Sequence, residues 1–396
     1  MVRYTGLLRW IIASAIIILC TAICVSANEL DLTAKAALLM EASSGQILYA
    51  KDIDQPLPVA SISKLMTLIL VLEAVDAGKI ALDDIVTASE YAASMGGSQV
   101  WLEKGEQLTL AELLYAVAVG SGNDASVAVA EYLAGSEPAF VALMNEKADE
   151  LGLTNTEYSN ASGLPPSILG SSGRQVMSAR DVAVLCRYAL SVPLLLDFVS
   201  TYEYTMRADS TKKPVLWNYN KLLRRYQGVD GFKTGFTTEA GHCIAATAER
   251  SGLRLIAVVL GSTSDAARES DVTKLLDLGF REYTNYLIYP QGTVIGEIAI
   301  PKGDPEIVKL IVSADFYAPV KRGEQDQITT KIIVHDQLQV PIAKDTTIGS
   351  ISAYLGDLQL TTVDLKPEQS VSRSSVVNLL LRITRQMIYR LTEGSS

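Results

Sequence analysis

The stretch PLPVASISKLMTLIL, residues 56–70, decides how the rest of the chain is interpreted. Ser61 stands three residues before Lys64, and a long apolar run follows. Residues three apart on a helix share a face, so the hydroxyl and the amine can meet. A helix N-terminus in low-dielectric surroundings disfavours a charged lysine, which would let neutral Lys64 take the serine proton. The stretch predicts either a serine nucleophile with its base one turn away or only the polar start of a buried helix.

Spacing alone does not separate these two interpretations. A Ser-x-x-Lys pattern is expected by chance about once or twice in a chain this long. A second copy, residues 210–213, lies in a polar turn with no helix after it. Two further patterns follow along the chain. Ser121-Gly122-Asn123 lies in the break between two predicted helices, and Lys233-Thr234-Gly235 lies in GVDGFKTGFTTEAG, residues 228–241. Each of these alone would be an ordinary loop or turn.

The length and composition of the chain limit the class of protein that it can be. The chain has 396 residues, of which 48% are hydrophobic and 20% charged, so it is long enough for two domains with real cores. Residues 1–27 predict a secretory signal peptide, because Arg3 and Arg9 precede an apolar run and Val25-Ser26-Ala27 suits a signal peptidase. An uncleaved membrane anchor is the alternative interpretation.

The charge and the cysteine count exclude some partners. Removing residues 1–27 leaves 32 basic and 44 acidic residues, a net charge of −12. An acidic chain argues against a nucleic-acid partner, which needs a basic surface. Cys186 and Cys243 remain, and the sequence leaves open whether they form a disulfide or are two buried thiols. The two histidines are too few and too scattered for a His-based site, so we expect no metal and no cofactor.

Residues 28–288 predict a domain of mixed helices and strands. An early hairpin covers residues 36–52, and two late strands cover residues 241–250 and 253–261. Five helices lie between them, the second beginning with a capping pattern at Thr109. Helices grouped between early and late strands favour an α+β fold, in which helices flank a largely antiparallel sheet.

The end of the chain has a different character. Residues 289–365 contain short alternating or β-branched runs punctuated by Gly, Pro and Asp, which predicts a small all-β domain. Residues 370–394 predict an amphipathic helix, because five apolar residues recur at helical spacing: Val376, Leu380, Ile383, Met387 and Leu391. This helix either packs on the β domain or lies in a membrane interface. Its terminal position and its arginines on an acidic protein favour the membrane.

The three short motifs occur in a known order. Ser-x-x-Lys, Ser-x-Asn and Lys-Thr-Gly form the set of class A β-lactamases and penicillin-binding proteins. With the export signal, the β domain, the terminal helix and the loop NASGLP at residues 160–165, the sequence resembles the low-molecular-mass penicillin-binding proteins, the serine-type D-alanyl-D-alanine carboxypeptidase family. The resemblance implies a β-lactamase/transpeptidase-like catalytic domain. It also implies an exported protein on the outer face of the bacterial cytoplasmic membrane.

This resemblance implies catalytic roles for three residues. Ser61 would attack the carbonyl between the last two D-alanines of a peptidoglycan stem peptide, and Lys64 would be the general base. Ser121 would relay the proton toward the leaving D-alanine amine, and water would then hydrolyse the acyl-enzyme. Because a β-lactam mimics the terminal dipeptide, it is expected to acylate Ser61 and to leave slowly.

The resemblance also implies binding roles. Asn123 would bind the substrate amide, and Lys233 would supply electrostatic stabilisation. Thr234 would contact the terminal carboxylate of the substrate. Arg268, in DAARES, is similar to the family arginine that binds the same carboxylate.

An oxyanion hole would be built from backbone donors. The N–H groups of Ser61 and Phe236 would hold the developing negative charge, and Gly235 would let the substrate backbone approach the strand closely. Phe236 stands where some family members carry a histidine. Since only its backbone is needed, we expect an altered rate or pH dependence rather than loss of activity.

Three other functions share parts of this pattern. A class A β-lactamase has the same motifs, but no convincing Glu-x-x-x-Asn loop lies between Asn123 and Lys233. A penicillin-sensing or cell-wall-binding protein without turnover would not need every catalytic residue, and all are present here. An endopeptidase or transpeptidase differs from a carboxypeptidase only in which amine leaves or attacks.

Overall fold

The computed structural model describes residues 30–207 and 213–393, with side chains as far as residue 384. The predicted signal peptide, residues 1–27, lies outside the described residues. The strands, in chain order, are β1 (Ala36–Glu41), β2 (Ile47–Lys51), β3 (Leu57–Pro58), β4 (Ile85–Thr87), β5 (Gln107–Thr109), β6 (Val176–Met177), β7 (Glu203–Thr205), β8 (Val215–Trp217), β9 (Val229–Thr237), β10 (Gly241–Arg250), β11 (Leu253–Ser262), β12 (Tyr283–Tyr289), β13 (Val294–Ala299), β14 (Gly303–Asp304), β15 (Ile307–Val312), β16 (Phe316–Lys321), β17 (Ile328–Val334), β18 (Gly349–Leu355), β19 (Leu358–Pro367) and β20 (Ser372–Arg373).

Most helices precede the late strands, as the sequence predicts. The α-helices are α1 (Lys64–Asp76), α2 (Glu90–Ala93), α3 (Leu110–Ala118), α4 (Asn123–Ala134), α5 (Glu137–Glu150), α6 (Pro166–Leu169), α7 (Ala179–Ala189), α8 (Leu195–Ser200), α9 (Leu222–Arg225), α10 (Asp265–Glu282) and α11 (Val376–Glu393). The sequence reading missed α10, the long helix that follows β11. It lies between the two regions of the chain and carries Arg268.

An antiparallel sheet of five strands organises the first region. Its strand order is β2-β1-β11-β10-β9, so the early hairpin and the late strands are joined through the β1–β11 pair. The predicted hairpin is confirmed, with Gly45 at φ +75° in its turn. Strand β9, which carries the Lys-Thr-Gly motif, lies at the edge of this sheet. The α+β fold with an antiparallel sheet is therefore confirmed.

Helices cover both faces of this sheet. Alternate residues of β1 point to opposite faces. Leu38 and Met40 join the large core that contains α1. On the other face α10 lies close to the sheet because it has a glycine at the contact: a methyl group at Gly279 would lie 2.5 Å from Leu255 and 3.0 Å from Leu39.

Helix starts follow the cap signals in the sequence. Thr109 and Glu112 form a reciprocal capping box at α3, and Ser136 caps α5. The first helix differs from its prediction by three residues. Residues Ala60–Ser63 form a 3₁₀ turn and α1 begins at Lys64, because Ala60 has φ +49° and interrupts α-helical geometry there.

The C-terminal region is built from antiparallel strands. Its main sheet has the order β13-β15-β19-β18-β17, and β12 pairs with β16 beside it. Pairing continues on both sides of the predicted range 289–365, from β12 to β20. The sequence reading missed β16 and β18. The core of this region is apolar, with residues such as Val308, Leu310, Phe316, Ile351 and Leu365.

The last helix, α11, exposes most of the apolar side chains in its described part. Five apolar side chains in its described part are 49–73% exposed, namely Val376, Val377, Leu380, Leu381 and Ile383. Arg382 ties the helix to the strands, with Nη1 donating to the Gly303 carbonyl at 2.8 Å. Among the described residues, no single helix has the length and hydropathy of a membrane span; the bent pair α4 and α5 passes that test on composition alone.

The two cysteines of the described chain do not pair. Cys186 in α7 and Cys243 in β10 are both buried free thiols. Burial among apolar neighbours raises the pKa of both thiols, which keeps them in the unreactive protonated form.

Candidate active site

A cleft of about 740 Å³ lies beside the edge strand β9. Six of the nine residues singled out in the sequence line it: Ser61, Ser121, Thr234, Gly235, Phe236 and Arg268. The other three, Lys64, Asn123 and Lys233, are at most 2% exposed and reach the cleft through hydrogen bonds. The structure therefore brings together motifs that are more than one hundred residues apart in the chain.

Lys64 has three oxygen partners. Its Nζ lies 3.0 Å from Ser61 Oγ, 2.6 Å from Asn123 Oδ1 and 2.6 Å from the carbonyl oxygen of Ser162. An ammonium group would donate to all three. A neutral amine has two N–H groups and one lone pair. If those two hydrogens go to the oxygens of Asn123 and Ser162, which lack a proton to offer, the lone pair faces the Ser61 hydroxyl.

The electrostatics favour the neutral amine. Burial first, and then the nearby Lys233, lower the pKa of Lys64 well below its ordinary value of 10.5, while Asp124 opposes the shift. A fully buried ammonium loses its hydration, and a second ammonium nearby repels it. Lys64 is thus able to accept a proton from Ser61 near neutral pH.

The loop NASGLP supplies one of these oxygens. Asn160 Oδ1 accepts hydrogen bonds from the backbone N–H groups of Ser162 and Gly163, at 3.1 Å and 2.7 Å. This fixes the Ser162 carbonyl against Lys64. Gly163 has φ +83°, and a methyl group there would lie 2.0 Å from the Ala60 carbonyl oxygen, so only glycine fits.

A second lysine stands behind Ser121. Lys233 Nζ donates to Ser121 Oγ at 2.9 Å and to the Thr234 carbonyl at 3.2 Å. Burial, and then the positive charge of Arg268, lower the pKa of Lys233 from 10.5 to about 7. The Ser121 hydroxyl therefore sits beside a lysine that can gain or lose a proton in the physiological range.

Two residues beside the cleft have a positive backbone φ angle, which is unusual for residues other than glycine. Ala60 and Ser121 have φ +49° and +55°, in the left-handed region that is costly for residues other than glycine. Gly235 is the point of closest approach between β9 and the nucleophile turn. A methyl group there would lie 2.4 Å from the Val59 carbonyl oxygen and 3.0 Å from the Ser61 nitrogen. This packing places the Ser61 and Phe236 backbones, the predicted oxyanion donors, beside one another.

Arg268 lies in the first turn of α10 and is 4% exposed. Its Nη1 lies 3.1 Å from Asp265 Oδ1. Its Nε is buried and has no hydrogen-bond partner among the described residues. A buried donor without a partner is costly, and a carboxylate entering the cleft can satisfy it.

Sequence reasoning missed several cleft residues. Gly97, Ser98, Tyr219, Lys221, His242 and Asp265 also line it. They come from loops, the start of α10 and strand β10, with no shared spacing, so no single local pattern identifies them. His242 is the one that the sequence could have indicated. It lies six residues after Phe236 across a short turn, so pairing of the two strands would place it opposite Phe236.

Comparisons with known proteins agree with this geometry. A family model described as D-alanyl-D-alanine carboxypeptidase matches residues 23–264, and one described as penicillin-binding protein 5, C-terminal domain, matches residues 283–373. The D-alanyl-D-alanine carboxypeptidase DacF of Bacillus subtilis is 37% identical over 356 residues, 90% of each chain.

Solved structures give the same result. The crystal structure of a peptidoglycan synthesis regulatory factor (PBP3) from Streptococcus pneumoniae matches with a TM-score of 0.77 and 29% identity, covering 86% of this chain and 99% of that one. Penicillin-binding protein D2 from Listeria monocytogenes, in the ampicillin-bound form, matches with a TM-score of 0.57 and 34% identity, covering 63% of this chain and 99% of that one. The chain belongs to the D-alanyl-D-alanine carboxypeptidase family, a low-molecular-mass penicillin-binding protein group.

Proposed function

We propose that this serine-type D-alanyl-D-alanine carboxypeptidase removes the terminal D-alanine of peptidoglycan stem peptides through an acyl-enzyme on Ser61. The observation that carries the proposal is the coordination of Lys64. Two oxygens that only accept hydrogen bonds hold its Nζ, and its remaining position faces Ser61 Oγ at 3.0 Å. A buried, neutral lysine in this position is a general base for the serine hydroxyl.

Acylation then proceeds by a balanced transfer of one proton. Ser61 Oγ attacks the penultimate D-alanine carbonyl carbon as its proton passes to Lys64. The carbonyl oxygen becomes an oxyanion, held by the backbone N–H groups of Ser61 and Phe236. The C–N bond breaks as the proton held by Lys64 passes to the leaving amine through Ser121, whose hydroxyl is held by Lys233 at 2.9 Å. Lys64 is then neutral again. It takes a proton from water, which attacks the ester, and gives that proton to Oγ of Ser61 as the ester bond breaks.

Two groups fix the end of the substrate. Thr234 and the unpartnered Nε side of Arg268 bind the terminal carboxylate, and Lys233 adds positive potential. Asn123 supports the site mainly through Lys64, because its Oδ1 accepts from Nζ and its Nδ2 donates to the Gly96 carbonyl at 2.7 Å. Binding of the substrate amide by Asn123 therefore requires one of these bonds to be exchanged. A β-lactam presents the same carboxylate and carbonyl, so it acylates Ser61.

The membrane surface is a proposed partner of α11. Its five exposed apolar side chains suit the boundary of lipid headgroups and acyl chains. With residues 1–27 acting as an export signal, the enzyme would work on the outer face of the bacterial cytoplasmic membrane. The proposal is supported by the exposure of this face and by the terminal position of the helix.

Truncation tests the anchor. The chain should end after Ser374, because Val371 is buried and β20 pairs with β14. We expect this form to stay in the supernatant when mixed with anionic phospholipid vesicles, and the chain with α11 to sediment. A matched full-length variant, Leu380→Lys with Leu381→Lys, keeps the helix and its length. Sedimentation of both altered proteins with vesicles would refute the anchor.

Release of D-alanine tests the enzymatic proposal. Full-length protein would be mixed with a pentapeptide ending in D-alanyl-D-alanine, beside a Ser61→Ala variant. We expect release by the first and at least about a thousandfold slower release by the second. Equal release by both proteins would exclude Ser61 as the nucleophile, and release by neither would exclude the carboxypeptidase.

A further inference from the structure

A histidine faces the cleft from the strand next to β9. His242 on β10 lies directly opposite Phe236 in the strand ladder. The two rings stack with centroids 4.4 Å apart and an angle of 34° between their planes. The His242 side chain is 21% exposed, so one side of the imidazole is packed and the other reaches the cleft.

A shared carboxylate connects His242 to Arg268. Asp265 Oδ1 lies 2.9 Å from His242 Nδ1 and 3.1 Å from Arg268 Nη1. Burial opposes ionisation of Asp265, but Arg268 and then His242 outweigh it and lower the pKa of the carboxyl group. Since an ionised carboxylate only accepts hydrogen bonds, Nδ1 of His242 carries a hydrogen.

This contact is what orients the arginine. Arg268 is buried, but the side chain of Asp265 is 56% exposed and would otherwise be free to turn toward water. The hydrogen bond from His242 reaches the same oxygen, Oδ1, that contacts Arg268, and so holds the carboxylate in place. Because the Nε of Arg268 has no partner among the described residues, Asp265 is the contact that sets the direction of the guanidinium plane.

The charged side chains that lie near His242 come from α10 and from the residue that precedes α9. Asp265 and Arg268 belong to α10. Lys221 lines the same cleft, with Tyr219 beside it, and contributes to the lowered pKa of Asp265. The residues paired with His242 on β9 and β11, Phe236 and Ser262, carry no charge.

We propose that His242 is a positioning residue for the terminal carboxylate of the substrate, acting through Asp265 on Arg268. The inference rests on the proposed carboxypeptidase function of the cleft. Loss of the contact between His242 and Asp265 weakens binding of the carboxylate and therefore raises KM, whereas Lys64 acts in the chemical step and governs kcat.

Two substitutions test the hydrogen bond from His242. His242→Asn places an amide N–H where Nδ1–H lies, whereas His242→Ala removes the donor. We expect His242→Ala to raise the KM for the pentapeptide about two- to fivefold, more than it lowers kcat, because Arg268 loses its orientation. His242→Asn should restore most of the wild-type KM, because it keeps the donor to Asp265.

A double-mutant comparison tests the route through Asp265. In an Asp265→Ala background, His242→Ala should have no further effect on KM, because the connecting carboxylate is gone. The proposal is overturned if His242→Ala and His242→Asn have the same KM, or if His242→Ala and Asp265→Ala act additively.

The role of His242 can still be tested if the carboxypeptidase proposal fails. In that case no D-alanine is released, and the second-order rate constant for acylation by benzylpenicillin, which carries a carboxylate, replaces 1/KM as the measured quantity. The same order is expected, with slower acylation of His242→Ala than of either the wild type or His242→Asn. Its absence would overturn the role of His242 independently of the peptidase activity.

Discussion

The cleft buries charged side chains, whereas the C-terminal strands bury almost only apolar ones. At the cleft, Lys64, Lys233 and Arg268 are at most 4% exposed, and Ala60 and Ser121 have positive φ. In residues 283–373, all of which are described, the buried side chains are apolar with the exception of Ser352. Buried charge and backbone strain lower stability, while apolar burial raises it. Substitutions in the cleft should therefore change activity, and substitutions in the strands should change stability.

The largest effect is expected at Lys64. Lys64→Met keeps the volume of a buried side chain and removes the base, so the protein should fold while kcat/KM for D-alanine release falls about a thousandfold. Lys213→Met is the matched control, because Lys213 is exposed and belongs to the second Ser-x-x-Lys pattern. Equal activities of the two variants, measured at a temperature where both are folded, would refute the role of Lys64.

A glycine in each region gives the next comparison. Gly235→Ala would push β9 away from Ser61, and a shift of about 1 Å at a reacting group costs roughly a hundredfold in rate. Gly296→Ala in β13 meets nothing within 4 Å and should leave kcat/KM unchanged. Measuring both with the pentapeptide checks the prediction. A loss at Gly235 no larger than at Gly296 would mean that strand proximity does not set the oxyanion geometry.

Local patterns predicted the elements of both regions because hydrophobic period and cap residues are local properties. The hairpin of β1 and β2 and the capping box at Thr109 both follow from neighbouring residues. Strands β16 and β18 were missed. Strand β16, FYAPVK, contains a proline, and strand β18, GSISAYL, is rich in small residues, so neither shows the alternating or β-branched run that predicts a strand.

Only the part of the cleft that the three short motifs form could be predicted from the sequence. Ser61 and Lys64 are close in sequence, so their contact was predicted and found at 3.0 Å. The acceptors around Lys64 were not predicted, because Asn123 and Ser162 lie 59 and 98 residues away. The link between His242 and Asp265 likewise depends on β10 and α10 meeting in space, which spacing in the sequence does not indicate.

A smaller effect is expected from pH. Lys233, with a pKa of about 7, stabilises charge only when protonated, so activity should fall up to about tenfold per pH unit above that value. Because Lys64 acts only as the neutral amine, its protonation removes the base, so activity should also fall toward acid. Arginine stays charged, so Lys233→Arg should lose the alkaline fall while its maximum decreases. Identical alkaline limbs in the two pH–rate profiles would contradict this assignment.

The smallest effect on activity is expected in the strands. Leu310 is 2% exposed in the C-terminal core, so Leu310→Ala should lower the free energy of unfolding of this region by about 2–5 kcal/mol. At a temperature where the protein remains folded, kcat/KM should be unchanged. Denaturant unfolding and D-alanine release, measured on the same sample, check both parts. A large loss of activity without loss of stability would show that the strands take part in the reaction.

The most direct measurement is to locate the acyl group. Full-length protein would be treated with benzylpenicillin, digested and mapped by mass spectrometry, with Ser61→Ala treated in parallel. The proposed mechanism predicts a covalent adduct on the peptide that contains Ser61 and none on the variant. An adduct on any other residue, or an equal adduct on the variant, would contradict Ser61 as the nucleophile activated by Lys64.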